Sequence, residues 1–123
     1  MVRVKRAYLP AAAGDGYRVL VDRLWPRGVT KQRARVDLWA KDVAPSPALR
    51  RWFDHDPARF REFTVRYRRE LSSSPGREIV AELARRSSEQ TVTLVYGARD
   101  EVHNGARVLA EEMEAALGAH ATF

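Results

Sequence analysis

The chain has 123 residues, 45% of them hydrophobic, and no cysteine; this suits one domain burying roughly two thirds of its unfolded surface and removes disulfides, thiolate metal sites and cysteine nucleophiles together. Its formal net charge is +6, and all but Lys5, Lys31 and Lys41 of the 22 basic residues are arginine. That balance favours polyanionic company such as nucleic acid, nucleotides or phosphorylated metabolites, although solvated arginine-rich faces would give the same total.

The opening residues, MVRVKRAYLPAAAG, lack an uninterrupted apolar region, and no run is long enough to span a bilayer. The expectation is a single cytoplasmic domain over residues 1–123 with no membrane contact. Val2 to Tyr8 predicts a first strand, charged on both faces as an edge strand is. Leu9 to Gly16 (LPAAAGDG) is turn material, and Tyr17 to Val21 follows as a strand apolar on both faces, which a central strand requires. Nothing fixes whether these two strands pair as a hairpin or run parallel.

Thr30 is placed to cap a helical turn over Lys31 to Arg35, and Val36 to Val43 (VDLWAKDV) is read as a strand in preference to a short helix. Ser46 suits an N-cap and Pro47 the first helical position, giving a helix to about Phe53 with Leu49, Trp52 and Phe53 buried. Asp56-Pro57 repeats the start signal for a longer helix carrying Phe60, Phe63, Tyr67 and Leu71 at helical spacing. Ser72 to Gly76 breaks it, and Pro75 to Arg86 forms another helix on Ile79, Val80, Leu83 and Ala84. Thr91 to Tyr96 is a last buried strand. The last helix is expected from about Glu101 to Leu117, with Val102, Ala106, Leu109 and Met113 on its inner stripe and Gly118 as its stop. Together these elements predict an α/β fold, a small mostly parallel sheet of about four strands covered by helices.

Polar residues gather where the two buried strands end, which in open α/β sheets is where ligands sit. After the first come Asp22, Arg23, Trp25 and Arg27, in a turn stiffened by Pro26 and released by Gly28. Arg23 and Arg27 suit an anion clamp with Asp22 as orienter or acid–base group, or Asp22 forms only a structural ion pair with Arg23 or Arg27 that closes the sheet end. After the second come Asp100, His103 and Asn104: Asp100 reads as a helix N-cap or a catalytic acid, His103 as a proton shuttle or a solvated residue, and Asn104 as a substrate contact. Ser46 joins the ligand-binding candidates beside its capping role; no nucleophile elbow surrounds it. Asp54-His55-Asp56 are consecutive and Asp56 is a cap, so no metal is expected. No Walker loop, dinucleotide fingerprint or HExxH is present, and no cofactor is expected.

The stretches RVLVDRLWPRG (Arg18 to Gly28), WAKDVAPSPALRRWFDHDP (Trp39 to Pro57), FREFTVRYRREL (Phe60 to Leu71) and TLVYGARDEVHNGARVL (Thr93 to Leu109) together resemble the YeaO-like family, bacterial domain of unknown function 488. The resemblance spans nearly the whole chain. It implies a compact α/β domain, favours a strand at Val36 to Val43 and lends weight to the strand-end grouping, without implying a reaction. Three functions are compatible with these observations. One is binding of a phosphate-bearing ligand, a nucleotide or nucleic-acid end, with Arg23 and Arg27 as clamps; if catalysis follows, Asp22, Asp100 and His103 supply acid–base chemistry. Another is a non-catalytic nucleic-acid module using Arg61, Arg66 and Arg69. The third is a protein-interaction module anchored on Trp25 and Trp39.

Overall fold

The computed structural model describes residues 1–121. Four strands, β1 (Val2–Arg6), β2 (Tyr17–Leu20), β3 (Leu38–Trp39) and β4 (Val92–Tyr96), form one sheet in the order β1-β4-β2-β3. Every pair is parallel. The first two strands therefore neither pair nor form a hairpin, because β4 lies between them. Both β2 and β4 are central, and all five residues of β4 are buried, as a parallel strand covered on two faces demands.

The five helices are α1 (Lys31–Ala34), α2 (Pro47–Phe53), α3 (Phe60–Leu71), α4 (Gly76–Ser87) and α5 (Gly105–Ala121). Alternation along the strands divides the interior in two. Val19, Val21, Val92, Leu94 and Tyr96 face the main core with Phe53, Phe63, Tyr67, Leu83, Leu109 and Met113 from the helices. Leu20 and Val95 point the other way, to a smaller cluster with Ala7, Trp25, Val36 and Trp39. Tyr67, fully buried at the centre of the main core, donates its hydroxyl to the Val43 carbonyl.

Local signals set most boundaries. Thr30 Oγ1 accepts from Arg33 N–H at the start of α1, and Ser46 Oγ accepts from Leu49 N–H with Pro47 as the first residue of α2. Asp56 caps a 3₁₀ turn at Pro57–Arg59 that runs into α3. Three expectations shift. Of Val36 to Val43 only Leu38 and Trp39 join the sheet, and Lys41–Val43 forms a 3₁₀ turn, since the strand pairs with β2 over two residues alone. The last helix begins at Gly105, where Asn104 Oδ1 accepts from Arg107 N–H, so Val102 lies outside it and is exposed, and the buried stripe is Ala106, Val108, Leu109 and Met113. At its other end the helix runs through Gly118, a residue helices tolerate at a cost of about 1 kcal/mol, to Ala121.

The connection from β1 to β2 must return across the sheet, past β4, in the residues between Arg6 and Tyr17, with only a 3₁₀ turn at Ala13–Asp15. Asp15, 5% exposed, holds it down. Its carboxylate accepts from Ala12 N–H, from Lys5 Nζ and, at 2.6 Å, from Arg18 Nη1. Thr93 Oγ1 of β4 donates to the Asp15 carbonyl. Arg18, 3% exposed, also donates from Nε and Nη2 to the Ala34 carbonyl, tying the end of α1 to the same face. Gly16 (φ 64°) closes the crossing, and a Cβ there would stand 2.3 Å from the Thr91 carbonyl oxygen.

Burial alone would raise the Asp15 carboxyl, but the Ala12 N–H and the Lys5 and Arg18 cations outweigh it and hold the group below the ordinary carboxylate value. A depressed folded-state pKa adds stability that is present above the unfolded value and lost as pH falls through the folded one. Asp15→Asn, which leaves Arg18 buried without its counter-ion, should lower the unfolding free energy by about 3 kcal/mol at neutral pH. Urea titrations at descending pH should show the gap from the wild type narrowing below the carboxylate range.

Candidate functional site

Because every strand runs the same way, the carboxyl ends of β2 and β4 lie side by side, and the loops that follow them form one wall each of a cavity of about 650 Å³. Asp22, Arg23 and Trp25 come from the first loop and Asp100, His103 and Asn104 from the second. The floor is aromatic and apolar, with Phe53, Phe63, Tyr67 and Tyr96 among its residues. The size is that of a small-molecule pocket.

Asp22 joins the two loops. Its Oδ2 accepts the Gly97 N–H at 2.8 Å, and its backbone carbonyl accepts from Trp39 Nε1 at 2.8 Å. A Cβ on Gly97 would stand 3.2 Å from the same Asp22 oxygen, so the glycine permits this close approach. Burial pushes the Asp22 carboxyl above its ordinary value, and this outweighs the opposing effects of the Gly97 N–H and of Arg50 and His55 nearby.

Asp100 is the organiser of the second loop rather than the cap of α5. Its Oδ1 accepts from Val102 and His103 N–H, and its Oδ2 lies 2.9 Å from His103 Nδ1. These bonds, the His103 backbone N–H foremost, hold its carboxyl down at about 2. Nδ1 of His103 faces this carboxylate, and the ring lies edge-on to Phe60 with centroids 5.2 Å apart. Asn104 is buried and occupied at both ends of its amide: Nδ2 donates to the Asp100 carbonyl while Oδ1 caps α5. Arg6 Nε fixes the loop from β1 through the Ala98 carbonyl.

Three arginines line the cavity, Arg23, Arg50 and Arg99, against two carboxylates. Among the described residues none of the three forms an ion pair. Arg23 Nε is buried with no hydrogen-bond partner at all, an unusual state for a polar atom. Arg50 and His55 arrive from α2 and the turn after it, where Asp54 (φ 48°) and His55 (φ 54°) are both left-handed. Sequence reasoning did not single out Arg50 or Arg99, and it weighed His55 only within the Asp54-His55-Asp56 run, as a metal ligand that was set aside. Consecutive left-handed non-glycine residues leave no reliable mark in a sequence, and Arg50 resembles every other arginine on a helix.

The remaining candidates lie elsewhere. Arg27 is exposed and does not line the cavity. Ser46 gives its N–H and hydroxyl to the Glu70 carboxylate and borders a second cavity instead. Trp25 lines the main cavity but donates Nε1 to the Val29 carbonyl and stands edge-on to Trp39 at 5.3 Å, so the two indoles pack mainly on each other. Arg61, Arg66 and Arg69 are exposed on α3 but do not share one face: at 100° per residue, Arg61 and Arg66 diverge by about 140°. Arg66 also pairs with Glu62 and lies over the Trp52 ring at 4.3 Å. Among the described residues no group of three His, Cys, Asp or Glu side chains could hold a metal ion, and no helix is long and apolar enough to cross a membrane.

A raised carboxyl pKa means that the ionised Asp22 opposes folding: its favourable contribution is full below the unfolded value and is lost as pH rises through the folded one. Asp22→Asn keeps an acceptor for Gly97 N–H without the charge. It should melt at or above the wild-type temperature at neutral pH, with the wild type closing the difference in acid. Asp22→Ala leaves that N–H without a partner and should lose about 1–3 kcal/mol, read by the same melts.

A family model described as the inactive DUF488-N3 subclade matches residues 1–122. The uncharacterized protein Rv3073c of Mycobacterium tuberculosis is 46% identical over 110 residues, covering 89% of this chain and 91% of that protein. The uncharacterized protein YeaO of Escherichia coli is 39% identical over 112 residues, covering 89% and 94%. No solved structure matches the chain significantly. With its whole fold and both cavity loops inside the matched region, this chain belongs to the YeaO-like DUF488 family.

Proposed function

We propose that the cavity at the ends of β2 and β4 binds a phosphate-bearing small molecule of nucleotide size and does so without turnover. The observation that carries this reading is the set of three cavity arginines with no carboxylate partner. A guanidinium is a planar, always charged fork suited to phosphate oxygens. Here one is partly desolvated, with a buried N–H that nothing in the protein satisfies. The aromatic floor suits a flat ring next to the anion.

Binding without catalysis is favoured by how the polar groups are occupied. Asp22 clasps Gly97, Asn104 caps a helix and Ser46 is held by Glu70. The description of the matching family model as inactive supports the same side. The Asp100–His103 pair keeps a catalytic reading in view, since a carboxylate-oriented imidazole beside a cavity is the usual form of a general base; in that case His103→Ala would abolish turnover of the bound compound.

The test is a thermal-shift and calorimetric titration with phosphate, nucleoside mono- and diphosphates and sugar phosphates. A binding compound should raise the melting temperature in proportion to its saturation. Arg50→Ala and Arg99→Ala should each weaken it about tenfold, the worth of one charge-assisted contact. Absence of any stabilising compound, or full affinity in both variants, would overturn the assignment.

A further inference from the structure

A second cavity, of about 410 Å³, lies on the other side of Arg23. Arg23, Ala44 and Tyr67 border both hollows, so the two share a wall with the Arg23 side chain in it. Their chemistry differs sharply. The larger is aromatic with a cationic rim. The smaller contains two carboxylates, Asp42 and Glu70, and the serines 46, 73 and 74. Glu70 already accepts the Ser46 N–H and hydroxyl, but a carboxylate has about four acceptor positions, and Asp42 forms no ion pair among the described residues.

We infer that the two hollows are one cleft for a two-ended ligand: a phosphate or diphosphate at Arg23, a planar ring in the aromatic hollow and a hydroxyl-bearing, sugar-like group in the acidic one. This rests on the phosphate-binding reading above and extends it to a substrate class. Arg23 borders both hollows, and its guanidinium forms no ion pair among the described residues, so it is placed to hold a bridging phosphate. The Ser46 and Ser74 hydroxyls are given to Glu70 and Glu78, which leaves the Asp42 and Glu70 carboxylates to accept from a sugar's hydroxyls and Ser73 to donate to one. A second anionic group there would be repelled, so the far end of the ligand is neutral and polar. A simple monoester fills only half of the cleft.

ADP and ADP-glucose differ by the sugar on the terminal phosphate and serve as the probes, titrated calorimetrically against the full chain. The wild type should bind ADP-glucose at least about tenfold more tightly than ADP, the effect of one or two added charge-assisted hydrogen bonds. Glu70→Gln should reduce that advantage. Because Glu70 also anchors the start of α2, Ser73→Phe is the second variant: it fills the smaller hollow and should abolish the advantage while ADP affinity stays at the wild-type value. Arg23→Met should weaken both compounds. Equal affinities in the wild type, or an advantage that survives Ser73→Phe, would overturn the two-ended cleft while leaving phosphate binding intact. Failure of both compounds to bind would remove the cleft and the phosphate-binding reading together.

Discussion

The carboxylate of Asp15 is the contact on which the rest of the fold depends. A parallel sheet in the order β1-β4-β2-β3 needs a chain return from β1 to β2 that passes β4, a passage that parallel sheets usually make with a helix. Here a short irregular segment does it, and irregular backbone on a buried face must have its polar groups satisfied. Asp15 meets that need by gathering Ala12 N–H, Lys5 and Arg18, while its own carbonyl accepts from Thr93 of β4. Charged groups on the second face of the sheet thereby form a closed network, and the apolar residues of that face, Leu20 and Val95 with the paired indoles, complete its cover.

What the crossover makes possible is a shared edge. With β2 and β4 adjacent and parallel, the chain leaves both at the same rim, and the Asp22–Gly97 bond fixes the distance between the two exits. One loop is stiffened by the edge-on packing of Trp25 against Trp39, the other by the bonds radiating from Asp100. Few of the polar side chains that look catalytic in isolation are free: most of their donors and acceptors shape the rim. The groups left without protein partners are mainly the arginines that line the cavity.

The abundance of arginine has more than one physical origin. On the helices many pair with acidic neighbours one turn away, as Arg85 does with Glu82 and Glu89, or across from α3 to α5, as Arg68 does with Glu111 and Glu112. Such exposed pairs contribute little individually. Arg18 is structural and buried. Arg23, Arg50 and Arg99 differ from both groups because they border the cavity and form no ion pair among the described residues.

The sequence by itself determined the central strands, the helices α2 to α4 and the caps at Thr30, Ser46 and Asp56. Periodicity, proline placement and side-chain capping act over a few residues and need no partner from afar. It also placed Asp22, Arg23 and Trp25 after one buried strand and Asp100, His103 and Asn104 after another. Long-range packing alone makes these strands neighbours, leaves just two paired residues in Val36 to Val43, and brings Arg50 of α2 and His55 of the turn after it to the same cavity while Arg27 and Ser46 stay outside it. It likewise turned Asp15 and Arg18, an acid in a turn and a lone charge in an apolar strand, into a buried ion pair. The reason is common to all of these: strand order and the direction of a side chain beyond its own turn are set by which distant surfaces bury each other, and no local pattern records that.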